Sequence, residues 1–527
     1  MRGNAKPKPA MQIAGPGAGK TFGMVQLVAD TLPRISSNRF VAVVTYTNSA
    51  VDAIRSQLMK VAKPPNNLFI GTNHAFLNRF ILEPYGQLWK KVPSERHFVE
   101  LDLNRMPALQ TEQDVRNKAI IRSRIAQGLV KSGVIPFDEL VRISAELIGE
   151  KRIRAAIATR LQVLFVDEFQ DLDTAQLKVI DEIRKAGKTE IYVVGDPEQY
   201  ISGFIYQQKH QKVKPYTSIP FFQFEQHSNV ECITINRRSC KEIVQFANNF
   251  HGRLTQEWIR GSTPHCGVYF LEPIASDAIM STFRSLAEHY EESTGEHLDR
   301  PHTRLVLARE KKIVDSFAEG FGLTYISNDR SRQRSVLDEV LKTITLAAGQ
   351  NLRQLGEAQG MTRLELRKVA ILLMKRIRSQ EIHSGDDLLK GIEETCHIKI
   401  SQEPAYKEID GRLSKIRAML SSQISEKNME LCSTVHKAKG LEADSVLVIA
   451  KSNNELAKWI MQDIPSREAD KQDDCRLGYV AFTRARDVLC IACLEKINLK
   501  NRTELIQLGV QFYPGDEALQ VALALEA

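Results

Sequence analysis

Long apolar runs are missing from this chain: none approaches the roughly 18 residues that a membrane-spanning helix needs. Internal repeats, low-complexity tracts and long Pro/Gly linkers are missing too, which excludes solenoids and loosely tethered modules. Cysteines are few, eight in 527 residues, scattered at Cys232, Cys240, Cys266, Cys396, Cys432, Cys475, Cys490 and Cys493. That spread suits a reduced compartment better than a disulfide framework. The single C-x-x-C, Cys490 and Cys493, lies in the apolar run Val488 to Leu494, which reads as a strand. Its two thiols then point to opposite faces, and no second pair completes a zinc site, so buried thiols are expected. The basic stretch Met1 to Ala10 is followed by neither an apolar h-region nor a small-residue cleavage site. The expectation is a cytoplasmic protein without membrane attachment. Tryptophan is scarce as well, and Trp89, Trp258 and Trp459 are assigned to packing.

What is present points to more than one buried core: the length and a hydrophobic content of 43% predict two or more domains. Lys and Arg outnumber Asp and Glu by 72 to 64, giving a net charge of +8. A polyanionic partner suits that excess.

Two regions alternate short β-rich runs with helical periodicity, the pattern of parallel sheets covered by helices. In the first, strands are expected at Met11–Ala14, Phe40–Thr45, Leu68–Gly71, Val163–Asp167 and Ile191–Gly195. In the second they are expected at Cys232–Ile235, Arg304–Ala308, Ser445–Ala450 and Val488–Ala492. Charged helical stretches interrupt both regions, at about 83–156 and 346–427. The fold class is therefore α/β, with two parallel-sheet cores that each carry a short, mainly helical insertion.

The strongest local signal is Ala14-Gly15-Pro16-Gly17-Ala18-Gly19-Lys20-Thr21, between an apolar strand and a helical pattern. Such glycines let backbone N–H groups converge on phosphate oxygens at a helix N-terminus. Lys20 would reach the β- and γ-phosphates and Thr21 would ligate Mg²⁺. The generic pattern has Gly where Ala14 stands. A second strand ends in Asp167-Glu168, placing Asp167 to hold Mg²⁺ and Glu168 to activate the attacking water. A third ends in Gly195-Asp196-Pro197-Glu198-Gln199, where Gln199 is either a γ-phosphate sensor or a turn residue. Arg238 and Arg484, in the second core, could meet charge that spreads over the transferred phosphoryl group. Alone, each arginine also reads as a surface residue, and Asp-Glu as a solvated strand end.

In order and spacing these runs resemble the UvrD/Rep-like superfamily 1A helicases. Thr45-Tyr46-Thr47-Asn48-Ser49-Ala50 and Gly71-Thr72-Asn73-His74 are similar to the family's first single-strand-contact motifs. Gln199-Tyr200-Ile201-Ser202-Gly203-Phe204 resembles its glutamine-to-aromatic motif. Thr434-Val435-His436-Lys437-Ala438-Lys439-Gly440-Leu441-Glu442 looks like its His-x-x-Lys-Gly-Leu-Glu segment, and Tyr479 to Ala485 like its final motif. The resemblance implies two RecA-like cores, a P-loop NTPase, with ATP and Mg²⁺ between them and single-stranded or tailed DNA across the top. Core 1A would comprise 1–85 and 156–230, insertion 1B 86–155, core 2A 231–345 and 428–527, and a reduced insertion 2B 346–427. It further implies 3′ to 5′ movement, Glu442 at the ribose, and Arg238 and Arg484 at the γ-phosphate. Tyr46 and Phe204 would stack on bases, although without the resemblance both read equally well as core aromatics. Thr47, Asn48, Thr72, His74 and His436 would contact the strand.

Departures from the family pattern are equally specific. No Gln precedes Gln12 to read adenine, and Arg237 replaces an aromatic that stacks on the base. Phe204-Ile205 stands where relatives have Trp-Arg, and both insertions are short, which makes translocation a safer expectation than strong unwinding. The compact form, with Phe69 to Phe76 and Glu83-Pro84-Tyr85, is similar to the UvrD-like helicase subunit of the Gabija anti-phage system. That resemblance implies an ATPase–nuclease partner of the overcoming-lysogenization-defect type, with its TOPRIM nuclease. Two alternatives stay open: a DNA-sensing regulatory ATPase that licenses a partner nuclease, and an RNA-directed motor, since no residue here reads a 2′-hydroxyl.

Overall fold

A computed structural model of the chain describes residues 8–89, 97–99, 124–132, 134–201, 215–294, 302–325, 336–350, 352–379, 381–396, 406–421, 429–470 and 473–513. Two parallel sheets organise it. The first contains β1 (Ala10–Ala14), β2 (Phe40–Thr45), β3 (Leu68–Thr72), β4 (Leu161–Val166), β5 (Glu190–Gly195) and β6 (Asn229–Ile233), in the order β3-β2-β4-β5-β1-β6. Every pairing is parallel. Strands β2 and β4 are near-continuous apolar runs, FVAVVT and LQVLFV, because helices cover both faces of the sheet.

The second sheet contains β7 (Gly267–Leu271), β8 (Thr303–Ala308), β9 (Thr324–Tyr325), β10 (Met429–Thr434), β11 (Ala443–Ala450), β12 (Ala485–Cys493) and β13 (Gln511–Tyr513). Their order is β9-β10-β8-β11-β12-β7-β13, again all parallel. The central strand β11 is buried along its whole length. Cys490 and Cys493 are buried free thiols on β12, as the sequence implies.

One expected strand belongs elsewhere. The run near Cys232–Ile235 reads in the sequence as part of the second core, but the strand spans Asn229–Ile233 and pairs with β1 at the edge of the first sheet. Only one side of it is hydrogen-bonded, and its side chains are largely exposed. Three residues later Asn236 reaches the phosphate loop, donating to the Pro16 carbonyl.

Between β9 and β10, helices Val336–Ala348, Leu352–Gln359, Arg363–Arg378, Gly385–Cys396 and Tyr406–Ser421 enclose an apolar core of their own. Helices Phe137–Leu147 and Lys151–Arg160, by contrast, pack their apolar faces into the core of the first sheet. No helix among the described residues is long and apolar enough to cross a membrane. Trp459 is fully buried and Trp89 packs against the first core while donating to Glu146, 2.7 Å away. Trp258 departs from its packing assignment: it is exposed, with the Lys241 ammonium 5.5 Å from its ring centre.

Helices α1 (Lys20–Thr31) and α2 (Asn48–Val61) flank the first sheet. Helices α3 (Lys241–Asn248), α4 (Asn453–Trp459), α5 (Ile464–Ala469) and α6 (Asp474–Phe482) flank the second. Helix α6 carries Arg484 just past its end, and it lies against α4 through Gly478. A Cβ there would sit 2.6 Å from the Trp459 Cβ and 2.8 Å from its Cα. Neither atom belongs to a flexible tip, so α6 would have to move. Gly478→Ala should therefore destabilise the protein by about 1–3 kcal/mol despite better helix propensity; an unchanged melting temperature would contradict this packing.

Candidate nucleotide site and nucleic-acid interface

The loop after β1 owes its shape to two left-handed glycines, Gly17 at φ 70° and Gly19 at φ 77°. Gly17 is constrained a second time, because a Cβ there would run into the Asn236 amide and lie 2.7 Å from the Arg238 Cβ. The second half of the chain braces the loop from outside. Asn236 Nδ2 and Gln256 Nε2 each donate to the Pro16 carbonyl at 3.0 Å, and the Arg237 amide donates to the Gly17 carbonyl at 2.8 Å. Lys20 begins α1, with its ammonium 3.0 Å from the Ala14 carbonyl. Thr21 follows it, half-buried, while Arg237 is exposed beside Gly19.

Strand β4 delivers Asp167 and Glu168. Glu168 adopts a left-handed backbone, φ 49° and ψ 45°, which is rare for a residue with a side chain and recurs at functional sites. Gln170 ties this turn to the end of β5: its Nε2 donates to Glu168 at 2.5 Å and its Oε1 accepts the Asp196 amide at 3.1 Å. Asp171 holds Lys439 of the second half, with Nζ–Oδ distances of 2.6 and 2.7 Å, and Lys439 also donates to the Gln199 carbonyl at 3.0 Å.

These neighbours divide the carboxylates electrostatically. Burial and the adjacent Glu168 charge push Asp167 up to about 7. Burial raises Asp171 to about 6 against the pull of Lys439. Burial also opposes the charge on Glu168, but Lys439, Lys20, the Gln170 hydrogen bond and Arg484 together hold it below the ordinary carboxylate range. Glu168 is thus kept anionic, as a base must be, while Asp167 is a carboxylate short of positive charge. Among the described residues no cluster of three or more metal-ligating side chains forms. One carboxylate and one hydroxyl beside a phosphate loop fit Mg²⁺, which keeps waters and takes phosphate oxygens as its other ligands.

Arg484 is 2% exposed, and its guanidinium donates to the Val480 and Leu441 carbonyls at 2.9 and 3.2 Å. Its Nη2 lies 3.3 Å from Gln199 Oε1. All these acceptors are neutral, and burial, followed by the charge of Arg238, pulls Arg484 down to about 9. Arg238 is engaged differently: its Nε is 2.6 Å from Glu442 and its Nη1 2.9 Å from the Thr483 carbonyl. Glu442 also pairs with Arg486. The structure therefore brings Lys20, Asp167, Glu168, Gln199 and Arg484 into one cleft. It sets Arg238 on Glu442 at the rim.

The candidate DNA residues gather at the carboxyl ends of neighbouring strands, since Thr45 of β2 is in register with Thr72 of β3. Thr47 caps α2 by accepting the Ala50 amide at 3.2 Å, and Thr72 caps the next helix by accepting the Ala75 amide at 3.3 Å. An N-capping threonine uses its oxygen as acceptor, which leaves its O–H as a possible donor; the Thr47 hydroxyl also lies 3.0 Å from the Ser49 hydroxyl. Tyr46 is 48% exposed, Asn48 is exposed, and His74 is half-buried. His436 follows β10, and burial, then Arg309, lowers it to about 4, so it is neutral at pH 7. Phe204 lies outside the described residues. Sequence reasoning does not single out Asn236, Gln256, Gln170, Asp171 or Lys439. Gln170, Asp171, Asn236 and Lys439 lie within motif runs without an assigned role, and Gln256 carries no local signal.

Because the folded value of Asp167 lies above that of an ordinary carboxyl, its ionisation opposes folding. The stabilisation held by the protonated form is lost as pH rises towards and through about 7. Without Mg²⁺ and nucleotide, Asp167→Asn should melt above the parent protein at pH 8, with the gap narrowing towards pH 5. Parallel melting curves at both pH values would refute a strained carboxylate here.

Comparisons with known proteins agree with this geometry. Residues 1–205 match the AAA domain family, and residues 234–496 match the UvrD-like helicase C-terminal domain. The chain is 22% identical over 513 residues to the Gabija protein GajB of Bacillus cereus, covering 91% of each. It is 23% identical over 224 residues to an ATP-dependent helicase/nuclease subunit from Lactobacillus johnsonii, and 34% identical over 93 residues to the RecBCD enzyme subunit RecB of Escherichia coli. Those stretches cover 39% and 17% of this chain but only 18% and 8% of the two larger proteins. With two parallel-sheet cores facing one nucleotide cleft, and a domain match on each, the chain belongs to the UvrD-like helicases and is an ATP-dependent DNA helicase.

Proposed function

We propose that the protein is a motor that moves 3′ to 5′ along single-stranded DNA, driven by ATP hydrolysed between its two cores, and that it serves as the helicase component of an anti-phage defence complex. The observation that carries the motor reading is Arg484. Its hydrogen-bond acceptors are all neutral, and the nearby Glu168 and Glu442 carboxylates only partly offset its burial, which leaves it open to a further anion. It lies beside Gln199, on the far side of the cleft from the loop that carries Lys20, where a γ-phosphate would supply the missing charge. The defence reading is supported by the similarity to GajB along 91% of both chains.

In this reading Lys20 and the loop amides bind the β- and γ-phosphates, and Thr21 and Asp167 would hold Mg²⁺, whose chemistry when bound would be to offset charge developing on the phosphoryl oxygens. Glu168, held anionic, takes the proton of the attacking water. Gln199 and Arg484 face the γ-phosphate from two sides, Arg237 packs on the base and Glu442 reaches the ribose. Because Arg484 belongs to the second core, hydrolysis is fastest when the cores are closed, and separation after phosphate release converts chemistry into movement. Tyr46 stacks on a base, while Thr47, Asn48, Thr72, His74 and His436 hold the backbone without reading sequence, His436 as a neutral donor. The partner is an ATPase–nuclease of the kind that the Gabija resemblance implies.

Lys20→Ala and Glu168→Gln should each abolish DNA-stimulated ATP hydrolysis without lowering the melting temperature; parental turnover in either would overturn the site. Tyr46→Ala should weaken single-strand binding by about 1–3 kcal/mol, measured by fluorescence anisotropy, and parental affinity would remove it from the interface. On tailed duplexes, strand displacement is expected with a 3′ tail and not a 5′ tail. Hydrolysis without displacement on either would replace the motor with a DNA-sensing ATPase that controls its partner nuclease.

A further inference from the structure

The catalytic cleft is backed by a buried chain of side chains that crosses from one core to the other, and most of its members have no part in the mechanism above. Asp196, fully buried at the end of β5, is its centre. Its Oδ2 accepts from Gln199 Nε2 at 2.8 Å, while its Oδ1 accepts the Glu198 amide at 3.0 Å and lies 3.0 Å from His251 Nε2. On the other side of Gln199, Oε1 accepts from Arg484. This arrangement sets the amide one way round. Reversed, its oxygen would face a carboxylate and its NH₂ a guanidinium, both repulsive. With NH₂ towards Asp196, one N–H is spent on the carboxylate and the second remains available to the cleft.

His251 comes from the second core, three residues past α3, and it is 7% exposed. Its Nδ1 accepts two backbone amides, from Arg253 at 3.2 Å and Leu254 at 3.0 Å. A ring nitrogen that accepts two N–H bonds carries no proton, so the hydrogen sits on Nε2 and points at Asp196. The ring edge also packs on Tyr479 of α6, centroids 5.8 Å apart. Beside this contact a second buried link joins the same turn to α5: Arg467 Nη2 is 3.0 Å from Glu198 Oε2. The turn that bears Gln199 is thus fastened to the second core by groups on both sides of it.

We infer that His251 is a positioning residue for ATP hydrolysis, reaching across the cores as a neutral Nε2–H donor that fixes the Asp196 carboxylate and, through it, the amide of Gln199. It touches no phosphate itself. Its effect is felt only when the two cores are together, which makes it a device by which closure completes the site. The inference rests on the reading of Gln199 as a γ-phosphate-facing group.

The test is a double-mutant cycle on the full chain, measuring kcat and KM for ATP with a saturating single-stranded oligonucleotide. Removing a positioning contact of this kind should lower kcat by roughly 10- to 100-fold. His251→Ala is expected to do so with KM changed less than about 3-fold, and His251→Gln, which can still donate to Asp196, should recover most of the loss. In a Gln199→Ala background, His251→Ala should cause no further fall, because the two act as one unit. Losses that multiply, an unchanged kcat in His251→Ala, or no recovery in His251→Gln would each overturn the inference. If His251→Ala does not fold, Asp196→Asn replaces it in the cycle, with the same expected non-additivity and the same overturning result. Full turnover in Gln199→Ala would instead overturn the underlying reading of the cleft, and this inference with it.

Discussion

A buried arginine without a carboxylate is the constraint around which this molecule is arranged. Arg484 donates to two carbonyls, a threonine hydroxyl and the Gln199 amide, and to no anion. Opposite it Asp167 is a buried carboxylate without a direct cation, raised to about 7 by its surroundings. Lys20 only partly offsets the burial of Asp167, and Glu168 and Glu442 only partly offset that of Arg484. Desolvated charges of this kind are tolerated only where the surrounding fold holds them and a ligand completes them. Asp167 stands just past the carboxyl end of β4, where open parallel sheets bind ligands, whereas Arg484 comes from the turn between α6 and the amino end of β12.

The contacts that join the two halves fall into two groups with different physical characters. Asn236, Gln256 and the Arg237 amide hold the phosphate loop by neutral hydrogen bonds to its carbonyls. These fix the loop's shape and are indifferent to charge. Lys439–Asp171 and Arg467–Glu198 are ion pairs in largely buried surroundings, where removing one partner strands the other. The neutral group shapes the cradle; the ionic group ties each catalytic turn, the one after β4 and the one after β5, to the opposite core. Both catalytic turns are thereby in direct ionic contact with the second core.

Much of this is legible in the sequence where the local chemistry is demanding. Gly17 and Gly19 are readable because a loop that curls its amides inward needs left-handed backbone, and the apolar runs of β2 and β4 because both faces of a parallel strand are covered. What depends on distant partners is not legible. Strand β10, Met429–Thr434, carries Glu430, which breaks the apolar run; its carboxylate is accounted for only by Arg284 and Arg304, 2.7 and 3.2 Å away. Strand β7 is five residues long and offers no alternation to detect. In the sequence Asn236 is only a neighbour of Arg238, although it is the residue that reaches the phosphate loop. The edge strand at Asn229–Ile233 reads as part of the wrong sheet, because pairing with β1 is a tertiary choice that periodicity does not encode.

The same distinction explains why Arg238 and Arg484, indistinguishable in the sequence, differ in the structure. Arg238 has a carboxylate partner in Glu442 and sits partly exposed, so it gives up little by staying where it is. Arg484 is enclosed and unpaired. An anion entering the cleft gains far more from the second arginine than from the first, because a group already paired offers only its residual field. Bound triphosphate would also compete with Glu442 for Arg238, and freeing that pair would release Glu442 and Arg486 at the rim. Their motifs treat the two arginines alike, but packing separates them: Arg484 is enclosed among neutral acceptors, while Arg238 is held by a carboxylate at the rim.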